Sequence, residues 1–208
     1  MTTSLRSLVQ LAATSFLVAS ASGLELERHR YCGMQGVWLQ TLGSGGLEFK
    51  NKRLGASYLI WHNDDAVALI DAGDGAKYAF GEAGAKFEDL KVILVTRGTL
   101  DRISGLPAFL ASSMRASRSE PLTLLGPEGN DNHLGIEKRL QGLMGNEGAW
   151  SEHSESLSRN RERGEGLRVR EVRAIGNRTW SQAVSPGVSV AALPVYHAGI
   201  PSVAWRVE

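Results

Sequence analysis

A single cysteine, Cys32, stands in 208 residues. With no second thiol an internal disulfide cannot form, so the fold is not held by cystine staples. The residues just before it, Arg30 and Tyr31, are unlike the apolar lead of a lipid-attachment site, so Cys32 reads as an ordinary unpaired thiol. Nor does any apolar run reach the roughly 20 residues that a bilayer span requires. Charge of one sign is also missing. Twenty-three basic and 22 acidic side chains leave a net +1, so bulk electrostatics singles out no polyanionic partner. There is no internal repeat, and neither a G-x-S-x-G elbow nor an S-x-x-K motif supports a serine nucleophile. His29, His62, His133 and His153 show no H-x-H or H-x-x-x-H spacing and are assigned no chemistry.

What is present suits one well-buried domain: 42% hydrophobic residues and 22% charged ones. The first 21 residues stand apart from it. Met1–Arg6 is a short, singly positive start, and Ser7–Val18 is apolar or small but broken by Gln10, Thr14 and Ser15. Ala19-Ser20-Ala21 then offers an A-x-A cleavage site, the pattern of a secretory signal peptide. Residues 1–21 are therefore expected to be a signal, with the mature chain starting near Ser22 and located outside the cytoplasm, secreted or periplasmic. A buried N-terminal helix is the alternative. Residues 22–36 form a short leading segment and 37–208 the domain.

Within the domain, short apolar runs alternate with turn residues. Strands are predicted at Val37–Leu42, Ala56–His62, Ala66–Asp71, around Val92, at Leu122–Leu125, Leu167–Ile175, Val188–Tyr196 and Ser202–Val207. Helices are predicted over Ala76–Ala85, from Ser104 toward Ser113, and over Asn130–Met144, where Leu134, Ile136, Leu140 and Leu143 share a face. Gly145–Gly166 is polar and reads as a long exposed loop. Strand pairs first, then strands alternating with helices, point to a mixed α/β sandwich rather than a doubly wound nucleotide-binding sheet. Gly43-Ser44-Gly45-Gly46 lacks G-x-G-x-x-G spacing and precedes a strand, so a turn suffices to explain it. Arg159, Arg161, Arg163, Arg168, Arg170 and Arg173 are diluted by Glu162, Glu165 and Glu171 and have few aromatic neighbours. They make a solvated face rather than a clear nucleic-acid surface.

The most informative stretch is Lys91–Leu110, an apolar strand, a tight loop at Thr96–Asp101 and a helix, with Gly105-Leu106-Pro107 after it. Several blocks around it fall in one order. They are Gly43–Gly46, Arg53–Tyr58, Leu69-Ile70-Asp71-Ala72-Gly73, Phe87-Glu88-Asp89-Leu90 and Val195–Arg206. Together they resemble the metallo-β-lactamase superfamily, nearest its ribonuclease Z and cyclic-nucleotide phosphodiesterase-like branches, from about Val37 to Glu208. The resemblance implies an αββα sandwich and a zinc-dependent hydrolase that attacks an ester or phosphodiester. It gives Asp71, in the D-A-G turn, a structural role near the site.

In this frame the superfamily's H-x-H-x-D-H signature becomes Arg97-Gly98-Thr99-Leu100-Asp101-Arg102. Arg97, Thr99 and Arg102 replace histidines, and Asp101 alone keeps a ligand identity. His197 aligns with the third site histidine. Family members continue beyond Ala204–Glu208 into a segment bearing a further aspartate and histidine, so the sandwich is expected to be truncated and incomplete in its second half. Asp101 and His197 are thus the residual metal positions, and Asp101 the residual catalytic one. A guanidinium has no lone pair for a metal, and at about 4 Å and an effective dielectric near 20 it repels a dication by roughly 8 kcal/mol.

These residues imply an exported member of a hydrolase lineage with impaired catalysis and with zinc absent or weakly bound. Its ancestral substrate would be a small ester or phosphodiester. The alternatives are a non-catalytic anion-binding module using Arg97 and Arg102, or a truncated product without activity. Nothing in the sequence sets an oligomeric state.

Overall fold

The computed structural model describes residues 35–48, 51–158 and 166–208. The proposed signal peptide, Cys32, and Arg159, Arg161 and Arg163 of the basic stretch lie outside the described residues.

Six strands form one mixed sheet. Strand β1 (Val37–Gly43) pairs antiparallel with β2 (Ser57–His62), which pairs antiparallel with β3 (Asp65–Ile70). Asn63 makes the β2–β3 hairpin possible. It adopts a left-handed φ of 54°, and its Oδ1 accepts the Gly36 N–H at 2.9 Å. From β3 the sheet continues in parallel through β4 (Val92–Leu94), β5 (Leu122–Pro127) and β6 (Leu167–Val172). β4 and β5 are buried along their whole length, which is why they read as apolar runs without alternation.

One face of this sheet is covered by helices α1 (Ala76–Glu82), α3 (Leu106–Ser113) and α4 (Ile136–Met144). Phe80, Leu106, Phe109, Leu110, Ile136 and Leu140 pack there with Leu59, Leu69, Ile93 and Leu124. Phe109 meets the rings of Phe80 and Phe87 edge-on, both at 5.1 Å, the arrangement favoured by the ring quadrupole. Arg118 ties down the chain entering β4 by donating to the carbonyls of Phe87 and Leu90.

The other face carries a three-stranded antiparallel sheet, β7 (Trp180–Ser185), β8 (Val188–Pro194) and β9 (Val203–Val207). Val188 and Val190 bury against Ile60, Val67, Val92, Leu94 and Leu125, with Trp205 and Val207 packed alongside. The layers run helices, large sheet, small sheet. That is the order expected for an αββα sandwich, with a second half shorter than the full architecture.

The structure corrects several expected boundaries. The loop expected over Thr96–Asp101 ends earlier, and no helix starts at Ser104; Leu100 and Asp101 are already helical, as is Arg102. They lie in a short helix, α2 (Leu100–Ile103), and α3 starts at Leu106 after a break. Asn130 does not begin α4, because its Oδ1 accepts the N–H groups of Asn132 and His133 and closes a turn instead. The polar stretch after Met144 includes a 3-10 turn at Ser151–His153 and helix α5 (Ser154–Ser158). Strand β7 has no clear sequence signal of its own, because Ser181, Gln182 and Ser185 interrupt its apolar residues. Pro186-Gly187 was the available signal, with Gly187 at φ 76° turning the chain into β8.

Candidate functional site

The site is built where β3 and β4 end side by side. Asp71, just past β3, is fully buried and has a left-handed φ of 58°. Its Oδ1 accepts the Thr96 N–H and its Oδ2 the Thr96 hydroxyl, both at 2.7 Å. The carboxylate thereby fixes the chain leaving β4. Ala72 N–H donates to the Arg102 carbonyl at 2.8 Å, and Gly105 N–H donates to the Ala72 carbonyl at 2.9 Å, so the D-A-G turn also seats α2. The approach is too close for side chains. A Cβ on Gly105 would stand 2.3 Å from the Gly73 carbonyl oxygen, and one on Gly73 would stand 2.8 Å from that of Asp101. This is the structural role for Asp71 that the family resemblance implied.

Seating α2 in this way brings Arg97, Thr99, Asp101 and Arg102 into one charged cluster. Arg97 Nη2 donates to Asp101 Oδ2 at 2.6 Å, and Arg97 Nε donates to the Thr99 hydroxyl oxygen at 2.9 Å. That hydroxyl in turn donates to Asp101 Oδ1 at 2.5 Å. Arg102 lies between the two acids, with Nη1 3.5 Å from Asp71 Oδ2 and Nε 3.1 Å from Asp101 Oδ2. The latter contact is an ion pair without hydrogen-bond alignment, and the buried Nε has no hydrogen-bond partner.

The environments separate the two carboxyl groups. Burial pushes Asp71 up to about 6, against the opposing effects of the Thr96 hydrogen bonds and of Arg102 and Arg97. Burial also acts upward on Asp101. There the Thr99 hydroxyl and the two guanidiniums outweigh it, and the carboxyl is held below the usual range.

His197 arrives from the other sheet. It sits exposed in the turn between β8 and β9, in the interval that the predicted strands left between Tyr196 and Ser202. The turn is bound to the first sheet at several points. Val203 N–H donates to the Thr96 carbonyl at 2.9 Å, Trp205 Nε1 donates to the Val95 carbonyl at 3.0 Å, and Arg97 bridges to Ser202. On its far side Asn130 Nδ2 donates to the Gly199 carbonyl at 3.0 Å. The result is an open pocket of about 230 Å³ lined by Thr96, Arg97, Arg102, Val195, Tyr196, His197, Ser202 and Val203.

Arg97, Arg102 and His197 therefore share one pocket. Thr99 and Asp101 do not line it; they stand behind the arginines and hold them. Thr96, Tyr196 and Ser202 were not singled out from the sequence. Thr96 could have been found as the first polar residue after an all-apolar strand.

The donor set does not fit the zinc that the resemblance implies. Among the described residues there is no group of three or more His, Cys, Asp or Glu placed to hold a metal ion. The one acid at a ligand position, Asp101, is already engaged by two guanidiniums. A catalytic zinc needs three protein ligands and an open position.

The family described as Anti-Pycsar protein Apyc1 matches residues 37–160, more than half of the chain. A ribonuclease Z from Agathobacter rectalis is 38% identical over 89 residues, which is 42% of this chain and 29% of that protein. Another, from Lachnoclostridium phytofermentans, is 43% identical over 61 residues, or 29% of this chain and 20% of that one. Among solved structures, the short form of human tRNase Z superposes with a TM-score of 0.60 at 18% identity, covering 82% of this chain and 63% of that chain. The metallo-β-lactamase fold protein YhfI from Bacillus subtilis gives 0.54 at 13% identity, covering 84% of this chain and 59% of its own. These two structures share the fold. The matched region spans less than a third of the curated relatives' length.

Proposed function

The chain belongs to the Anti-Pycsar protein Apyc1 family and to the ribonuclease Z-like branch of the metallo-β-lactamase superfamily, a metal-dependent hydrolase lineage, and on that premise we propose that it is an exported member with little or no hydrolytic activity of its own. One observation carries the reading. The Asp101 carboxylate is occupied by Arg97 at 2.6 Å and Arg102 at 3.1 Å. Two fixed guanidiniums thus neutralise the acid that would otherwise attract a metal cation. Removing them from it would expose a carboxylate and cost charge-assisted contacts. A cation entering beside them would meet like charge.

The lineage's chemistry is hydrolysis of an ester or phosphodiester. The relatives bear names that point to RNA, ribonuclease Z and tRNase Z. For this chain a small ester or phosphodiester is the proposed ancestral substrate, in keeping with a pocket of about 230 Å³. Purified protein, dialysed mildly, is expected to carry well under one zinc per molecule by elemental analysis. It is also expected to leave bis(p-nitrophenyl) phosphate intact even with zinc added. Stoichiometric zinc that disappears in His197→Ala, or robust turnover by the unmodified chain, would sink this reading.

Export rests on the N-terminal sequence alone: the positive start, the apolar stretch and Ala19-Ser20-Ala21. N-terminal sequencing of protein recovered outside the cytoplasm is expected to begin near Ser22. An intact Met1 there would rule out cleavage. No helix among the described residues is long and apolar enough to cross a membrane.

A further inference from the structure

The charge in the cluster is unevenly presented. Counting ions, Arg97 and Arg102 are balanced by Asp71 and Asp101. The pocket surface is not balanced, because among the described residues that line it there are two arginines and a histidine and no carboxylate. Asp71 is fully buried, and the Asp101 side chain is 12% exposed, against 20% for Arg97 and 23% for Arg102. The acids hold the guanidiniums from behind, and the cationic edges face the opening. This arrangement pre-orients the donors, so little side-chain entropy remains to be lost when a ligand binds.

Donor capacity remains. Arg97 gives Nε to Thr99 and Nη2 to Asp101, and Arg102 reaches Asp71 only through Nη1. Among the described residues Arg97 Nη1 and Arg102 Nη2 have no hydrogen-bond acceptor, whereas the buried Arg102 Nε faces Asp101 and is not available to a ligand. A guanidinium offers five N–H donors, so both side chains are under-used. They come from the loop after β4 and from α2, while His197 comes from the β8–β9 turn. Donors converging from three segments suit a tetrahedral oxyanion. A planar carboxylate is matched by one bidentate fork.

The opening has a different character. Tyr196 is 92% exposed and Val195 is 40% exposed, both on the pocket wall. The volume, about 230 Å³, is below the roughly 300 Å³ at which pockets begin to enclose drug-sized ligands. It admits a head group and leaves the body of a ligand outside, over these two side chains.

We propose that this pocket is a metal-independent site for the terminal phosphate of a small organic phosphate monoester, held by Arg97, Arg102 and His197 with the ligand's apolar or aromatic body against Tyr196. The proposal rests on the reading that fixed guanidiniums stand in for a metal ion here. No bond is made or broken in the bound ligand.

The test uses the full mature chain in low-salt buffer containing EDTA, with inorganic phosphate, phenyl phosphate and acetate as probes. Calorimetry and thermal unfolding provide the readouts. Phosphate is expected to bind and raise the unfolding temperature, acetate to do neither at the same concentration, and phenyl phosphate to bind more tightly than phosphate. Added salt should weaken all binding. Arg97→Gln is expected to lower phosphate affinity about tenfold, and Tyr196→Ala to remove the advantage of phenyl phosphate alone. Should Arg97→Gln fail to fold, His197→Gln replaces it, because His197 is exposed and supports no core. Equal responses to phosphate and acetate, or a variant that binds phosphate like the parent, overturn the site. Absence of phosphate binding in zinc-free protein overturns the site while leaving the non-hydrolytic reading intact. Binding that is abolished by EDTA and restored by zinc overturns both, since a metal would then be holding the anion.

Discussion

Changing Arg97, Thr99 and Arg102 together to histidine is expected to raise the zinc content from well under one per molecule toward about one. The triple variant removes both guanidiniums from Asp101 and supplies imidazoles at the positions where the superfamily signature places them. His197 adds another, because the β8–β9 turn is already bound to the Thr96 segment through Val203 and Trp205. The change also removes two like charges from the approach of a dication. Each is worth roughly 8 kcal/mol at about 4 Å and an effective dielectric near 20, before any side chain swings away. Elemental analysis of dialysed protein is the measurement, with circular dichroism to establish folding. A folded triple variant that still holds no zinc would show that the loop after β4, α2 and the β8–β9 turn do not bring the imidazoles to one ion. The substitution of Arg102 also leaves Asp71 without its nearest guanidinium, so the variant is expected to be less stable until metal is added.

Asp71→Asn is expected to flatten the pH dependence of folding stability between about pH 4 and pH 6. The folded-state carboxyl titrates near 6, above its ordinary value of 3.8. A raised folded pKa means the native state holds this proton more tightly than the unfolded chain does. The associated stability is fully present below 3.8 and is lost as pH rises through 6. A shift of about two units corresponds to about 3 kcal/mol, a sizeable part of a typical domain's stability. Asp101 works in the opposite sense. Its folded-state value is lowered, so its contribution is present above 3.8 and falls away only as pH drops through that lower value. The two windows therefore separate. An asparagine can still accept the Thr96 N–H through Oδ1, so the turn should survive while the titration disappears. Urea unfolding of both proteins at pH 4 and pH 7 measures the difference. Parallel pH profiles for parent and variant would mean that water or the arginines keep Asp71 ionised throughout.

Much of the fold was legible because its signals are local. The apolar runs at Val92–Leu94 and Leu122–Leu125 had to be buried strands, and Asn63-Asp64 had to turn between β2 and β3. The shortest helices, α2 and α5, were harder. Helix α2 has four residues, fewer than periodicity can register, and its existence depends on the Ala72 and Gly105 backbone bonds that seat it. The β7 strand has no continuous apolar pattern and takes its register from β8.

The candidate site divides along the same line. The sequence by itself determined which residue types occupy the signature, and hence that two permanent cations stand where imidazoles would. It also determined, through ordered blocks from Gly43 to Arg206, the architecture that carries them. Only the tertiary structure decided what those cations do. Arg97 and Arg102 are engaged by Asp101 and Asp71 and at the same time line a pocket shared with His197. The reason is that residue identity sets charge and local backbone preference, whereas the partner of a side chain depends on strand register and on contacts between distant segments. Trp205 reaches Val95 across 110 residues of chain, and no periodicity in the sequence encodes that meeting.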